Sequence, residues 1–192
     1  MQPNISIIIL AAGSSTRFGT PKQLLPYKGK SLLRYICETA LQSKGNSVYV
    51  VLGSQISLMK KELAGLNLNI IENPNWQKGI SSSIQAGIKA LSDSFNAAIF
   101  LLCDQPKVTS ALIDSMIDAY LNSQHPIVAC KYGDTVGVPA LFQRNIFPEL
   151  LLLKGDKGAK QILTKHTSDK LLIDFPDGIY DIDSPNDTQS IK

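Results

Sequence analysis

Apolar positions along the chain switch between two periods, and the switches divide it into alternating strands and helices. Ile5-Ser-Ile-Ile-Ile opens a nearly continuous apolar run, which reads as a strand covered on both faces. Ser31 to Ser43 carries Leu32, Leu33, Ile36, Ala40 and Leu41 at helical spacing, with Gly45 closing the segment. Ser47 to Leu52 and Leu68 to Ile71 predict two more strands around a short amphipathic helix at Gln55 to Ala64. Gly79 and three serines then lead into a helix whose stripe is Ile84, Ile88 and Leu91, with Ser81 or Ser82 expected at the N-cap. The most apolar strand, Ala97 to Cys103, ends on Asp104-Gln105-Pro106, and Thr109 is placed to cap the helix that follows. Pro126 to Lys131 predicts a strand, and Gly137-Val138-Pro139 a loop. Helices are expected at Ile146 to Leu153 and Ala159 to Lys165, and strands at Lys170 to Asp174 and Ile179 to Asp183. This alternation predicts a three-layer α/β/α, Rossmann-like domain over residues 1–192, with a mostly parallel mixed sheet and no linker or repeat.

Composition narrows the class. At 192 residues, 44% hydrophobic and 18% charged, the chain reads as a globular protein. Its net charge of +3 is scattered, which favours an anionic small molecule over nucleic acid. Ile5 to Ala12 is too short to span a bilayer, so no membrane partner is expected. Cys37, Cys103 and Cys130 sit in apolar contexts without metal-ligand spacing and read as core thiols of a reducing compartment, the cytosol. His125 and His166 read as structural.

The chemistry is concentrated where strands end. The first strand empties into Leu10-Ala11-Ala12-Gly13-Ser14-Ser15-Thr-Arg17-Phe-Gly-Thr-Pro-Lys22, a loop of small residues carrying two cations. Backbone N–H groups of such a loop can curl around an anion, and Arg17 and Lys22 add charge suited to a polyphosphate. The alternative is a polar turn with two solvated cations. Gly13 and Gly19 have five residues between them and Thr20 after, so the loop is neither a P-loop nor a G-x-G-x-x-G. In an open α/β sheet, Asp104 would share a rim with this loop, and Mg²⁺ takes one or two carboxylates plus substrate phosphates. Asp181 and Asp183 fall on one side of the expected last strand. A turn-forming Asp104 and a solvated acidic edge are the structural alternatives.

The loop resembles the signature L-A-[AG]-G-x-[SG]-x-R-[MF]-G-x-x-K of the MobA-like, GT-A type nucleotidyltransferases, and the resemblance runs through the chain. It takes in Trp76-Gln-Lys78-Gly79-Ile-Ser81-Ser82-Ser83, Asp104-Gln-Pro, Gly137-Val-Pro139-Ala-Leu-Phe, Gly155-Asp156-Lys157-Gly-Ala-Lys and Asp181-Ile-Asp183-Ser-Pro-Asn-Asp187. It implies the nucleotide-diphospho-sugar transferase type of fold. It also implies that Leu10 to Ser15 with Arg17 and Lys22 hold a nucleoside triphosphate, and that Lys78, Gly79, Ser81 and Ser82 read its base. Asp104 and Asp183, preferred over Asp181, would then bind Mg²⁺, while Gly137, Pro139, Asp156 and Lys157 face the acceptor. Arg17, Lys22 and Asp104 would carry the catalysis, and Trp76 is read as structural.

Ala12 and Pro21 make the sequence most similar to the molybdenum cofactor cytidylyltransferase branch. That branch implies CTP as substrate, a molybdopterin-type phosphate acceptor, and transient contact with a molybdenum hydroxylase by a monomer or weak homodimer. A methylerythritol-phosphate cytidylyltransferase shares the loop but needs a dimerisation arm, for which there is no candidate hairpin. A non-catalytic cofactor carrier would have no use for the metal carboxylates.

Overall fold

A computed structural model describes residues 3–14 and 21–182. Its elements are β1 (Ile5–Ala11), the hairpin β2 (Pro26–Tyr27) and β3 (Lys30–Ser31), α1 (Leu32–Leu41), β4 (Ser47–Leu52), α2 (Ile56–Glu62) and β5 (Asn69–Glu72). There follow α3 (Ile80–Lys89), β6 (Ala97–Leu102), α4 (Ser110–Asn122), β7 (Ile127–Tyr132), β8 (Thr135–Gln143), α5 (Phe147–Leu151), α6 (Lys160–Lys165) and β9 (Lys170–Asp174). Seven strands form one sheet in the order β5-β4-β1-β6-β8-β7-β9. β8 runs antiparallel to both its neighbours, and the other pairings are parallel.

Strand β1 shows why the first apolar run is continuous. Ile5, Ile7, Ile9 and Ala11 face a core shared with Leu33 and Ile36 of α1 and with Ile113 and Met116 of α4. Ile8 and Leu10 face the opposite core, with Ile84 and Ile88 of α3, Phe147 and Leu150 of α5, and Ile162 and Leu163 of α6. A strand covered on both faces has no polar side to alternate with. The result is the expected α/β/α sandwich with a mostly parallel mixed sheet.

Two expected elements differ. Gly137-Val138-Pro139 is not a loop: it lies inside β8. Ala129 pairs with Ala140 and Cys130 with Gly137, so Val138 and Pro139 are extra residues in a bulge against β7. On the other side, the ladder with β6 stops at Ala140. Pro139 therefore has no ladder hydrogen bond to give, and the strand tolerates it. The expected strand from Ile179 is also absent as far as the description runs. Pro176–Ile179 form a 3-10 turn, and Ile182 is buried against Tyr27 and Leu32. Asp183 and Asp187 lie outside the described residues.

All three cysteines are free and buried. Burial pushes the Cys130 thiol up to about 12 and those of Cys37 and Cys103 up as well, so all three stay protonated at neutral pH. The native protein should resist iodoacetamide at pH 8, and protein unfolded in guanidinium should take up the reagent at all three positions. Rapid labelling of the native chain would contradict this burial. No helix among the described residues is long and apolar enough to cross a membrane.

Candidate active site

From β1 the chain crosses to β4 on one side of the sheet, and β6 lies on the other. Such a reversal leaves a crevice beyond the carboxyl ends of the two central strands. Leu10 pairs with Leu102, so the loop after β1 and the turn after β6 rise side by side. The cleft between them has a volume of about 380 Å³. Leu10, Ala11, Ala12, Gly13, Ser14, Lys22 and Asp104 line one side, and Trp76, Gln77, Gly79, Ser83 and Asp156 line the other. Every described residue assigned from sequence to the phosphate loop therefore meets Asp104 here. Ser15 and Arg17 lie outside the described residues.

Lys22 Nζ stands 2.5 Å from Asp104 Oδ2, with about a fifth of each side chain exposed. The same ammonium donates to the Ile182 carbonyl at 3.3 Å, and Ile182 N–H donates to the Asp104 carbonyl at 3.0 Å. Lys22, Asp104 and Ile182 thus converge from three distant segments, and the residue before Asp183 is tied to the main chain of Asp104 by its own backbone. The second carboxylate oxygen, Oδ1, is buried and accepts no hydrogen bond from the described residues. A buried oxygen left unsatisfied costs about 1–3 kcal/mol, and a hard cation would remove that cost. Among the described residues no group of three or more His, Cys, Asp or Glu could hold a metal ion. Any metal here would take its remaining ligands from substrate, from water or from residues beyond 182.

Gln23, which the sequence reading passed over, holds the loop's base in place. It is 2% exposed, and its Nε2 donates to the Ala11 carbonyl at 3.2 Å and the Gly13 carbonyl at 2.6 Å. A buried amide next to Lys22 bridging back to the strand end is a tertiary feature that no local period reveals. Gln23→Leu keeps the bulk and strands two carbonyls, so it should cost about 1–3 kcal/mol and weaken triphosphate binding. Unchanged melting and nucleotide affinity in this variant would show that the loop does not need the anchor.

The opposite wall departs from the expected capped helix start. Gly79 (φ 92°, ψ 177°) precedes α3, and no side chain caps the helix. Ser82 Oγ instead donates to the Gly79 carbonyl at 2.8 Å and accepts from Asn73 Nδ2 at 2.9 Å. The main-chain donors here are largely engaged: Gly79 N with Trp76 O, Ser81 N with Gly155 O at 3.2 Å, and Ser82 N with Gly79 O. Lys78 is exposed and, with Ser82, lines a different groove beside Asn73. Of the four residues assigned to base reading, Gly79 reaches the cleft, joined by Ser83, Trp76 and Gln77. Trp76 has a structural role as well, since Gly53 leaves space for its ring: a side chain there would approach Trp76 Cβ to 2.5 Å.

A second cleft of about 710 Å³ shares Leu10, Ile80 and Leu102 with the first. Its walls include Phe100, Tyr132, Gly137, Val138 and Lys160, with Asp134 and Asp181 also lining it. Of the four residues assigned to the acceptor, Gly137 lines this cleft. Pro139 is buried in β8, Lys157 is exposed outside both clefts, and Asp156 lines the first cleft instead. Tyr132 donates to the Val138 carbonyl at 3.3 Å, and buried Gln105 donates to the same oxygen at 3.1 Å. Burial, with Asp181 nearby, pushes the Tyr132 phenol up, so it remains a neutral hydroxyl. Gln105 thereby joins the Asp104 turn to the wall of the second cleft.

Similar proteins share this framework. The chain is 28% identical to nicotine blue oxidoreductase of Paenarthrobacter nicotinovorans, over 84% of this chain and 82% of that one. It is 27% identical to the purine catabolism protein PucB of Bacillus subtilis, over 84% and 81%. The crystal structure of Rv0371c from Mycobacterium tuberculosis superposes with a TM-score of 0.85 at 29% identity, over 99% of this chain and 98% of that one. A manganese complex of the same mycobacterial protein superposes with a TM-score of 0.82 at 28% identity, over 98% and 97%. Residues 7–171 match the model of the MobA-like NTP transferase domain, a span containing both clefts' strands and Asp104, and the chain belongs to that family.

Proposed function

We propose that the protein transfers CMP from CTP to the phosphate of a molybdopterin-bound molybdenum cofactor, releasing pyrophosphate and forming a cytosine dinucleotide. The observation that carries the transfer reading is Asp104, a strand-end carboxylate with one buried unsatisfied oxygen, facing Lys22 under a glycine-containing loop. The CTP and molybdopterin assignments rest on the sequence resemblance. Two adjoining clefts match two substrates, the charged first cleft taking the triphosphate and the larger second one the acceptor.

In this reading the acceptor phosphate attacks the α-phosphate in line and pyrophosphate departs on the far side. The amides of residues 12–14 would meet the phosphates, and Lys22 would carry its charge to them on leaving Asp104. Arg17, whose placement lies outside the description, would add a second cation. Asp104, with Asp183, would hold Mg²⁺, whose chemistry here is to screen the phosphates and polarise the α-phosphate. The manganese complex of the mycobacterial relative supports dependence on a divalent ion. The same reading makes the chain one cytosolic domain that works as a monomer or weak homodimer and hands its product to a molybdenum hydroxylase.

A second reading, as an oxidoreductase, rests on the name of the 28% identical relative. Pyrophosphate release with Mg²⁺ and each nucleoside triphosphate, with and without molybdenum-loaded molybdopterin, separates the readings. CTP-selective release that needs the pterin supports the transferase; CTP use with another phosphate acceptor keeps the chemistry and discards the pathway. No release from any nucleotide would discard the transferase reading and leave the oxidoreductase one standing.

A further inference from the structure

We propose that Asp156 selects the nucleobase, favouring bases that carry an exocyclic amino group over their carbonyl counterparts. The inference rests on the nucleotide reading of the first cleft. Asp156 lines that cleft beside Gly79, close enough that a side chain at position 79 would begin 2.5 Å from Asp156 Oδ1. The Ser81 N–H bond to Gly155 O fixes the turn that carries it. No hydrogen bond or ion pair to the described residues engages the Asp156 carboxylate, so both its oxygens are open to a ligand.

Charge decides which part of a nucleotide this carboxylate meets. Phosphates belong at the end holding Lys22, the loop amides and Asp104. The wall of Trp76, Ile80 and Ser83 presents no cation to the cleft, and Lys78 lines a different groove. A carboxylate there repels phosphate and accepts hydrogen bonds from an uncharged donor. The amides of Gly79, Ser81 and Ser82 already have protein partners, and Asp156 is the charged group on this wall. Cytosine offers an amino group where uracil offers a carbonyl oxygen, and guanine offers one that hypoxanthine lacks. A lost charge-assisted bond, or a carbonyl set against a carboxylate, corresponds to about 10- to 100-fold in affinity.

Equilibrium titration of the full chain with CTP, UTP, GTP and ITP, each with Mn²⁺, reads this without turnover. The wild type should bind CTP about 30-fold more tightly than UTP, or GTP than ITP if a purine fits. Asp156→Asn, whose amide both donates and accepts, should bring the pair to within about 3-fold, partly by strengthening the disfavoured member. Asp156→Ala should weaken the amino-bearing nucleotide alone. Position 156 is exposed in a turn, so circular dichroism melts should match the wild type in both variants. Discrimination that survives in both variants, or a wild type that binds both members equally, overturns the assignment and leaves the nucleotide site standing. Failure of all four nucleotides to bind overturns the nucleotide reading itself.

Discussion

Replacing Asp104 with alanine should reduce pyrophosphate release by about 10²- to 10³-fold while leaving the protein folded. The kinetic effect follows from what the carboxylate can do at this position. It is the described acidic group that faces the phosphate loop, and removing a preorganised electrostatic contact of this kind typically costs about 3–4 kcal/mol in the barrier. The stability effect should be small because two contributions oppose each other. The variant loses a part-exposed ion pair with Lys22, which retains its bond to the Ile182 carbonyl. It also removes a buried carboxylate oxygen that has no partner. The hydrogen bond from Ile182 N–H goes to the main-chain oxygen of residue 104 and survives the substitution. The melting temperature should therefore move by no more than about 2–4 °C, the shift expected for 1 kcal/mol in a chain of this size. A folded Asp104→Ala protein with wild-type turnover would remove the metal-site assignment. A large loss of stability would show instead that Asp104 holds the fold together.

Much of the framework was legible because the sheet is covered on both faces. Strands β1, β4 and β6 have to be apolar throughout, so they stand out as runs bounded by polar turns, and their order of alternation with helices predicts the layers. The bulge in β8 was hidden because Gly and Pro read locally as a loop. Only the neighbouring strands reveal that Val138 and Pro139 face no ladder partner. At α3, the three serines suggested a capped helix, yet the turn at Gly79 lets Ser82 donate back to the Gly79 carbonyl, and the hydroxyl is engaged there. The juxtaposition of Asp104 with the loop followed from general topology, whereas Gln23 and Gln105 depend on which backbone oxygens lie across a gap. Asp156 illustrates the same limit. It belongs to a second-half motif that the resemblance grouped with the acceptor residues, but the turn at Gly155 leans over α3 and brings it into the first cleft.

That lean depends on Gly79, and Gly79→Ala should be the most damaging single-methyl change in the cleft. Two costs add. The backbone at φ 92°, ψ 177° lies in a region almost exclusive to glycine, worth about 1–3 kcal/mol of strain for any other residue. The added methyl would also stand 2.4 Å from the carbon and oxygen of the Gly155 carbonyl. Because that neighbour is backbone, no rotamer change relieves the contact. Either the strain stays, lowering the melting temperature by about 6–12 °C for 3 kcal/mol, or the Gly155–Asp156 turn is pushed away. In the second case the Ser81–Gly155 hydrogen bond breaks, Asp156 leaves the cleft and nucleotide affinity falls by about 10-fold or more. Gly155→Ala is the matched comparison. Its φ of 64° carries the left-handed cost of about 1–2 kcal/mol, but a methyl there meets nothing within 4 Å. Thermal melts and CTP titrations of the two variants should differ clearly, with Gly79→Ala worse in at least one. Equal, mild effects would mean that the turn is not pressed against Gly79, and the wall that carries Asp156 would then lack the rigidity needed to tell one base from another.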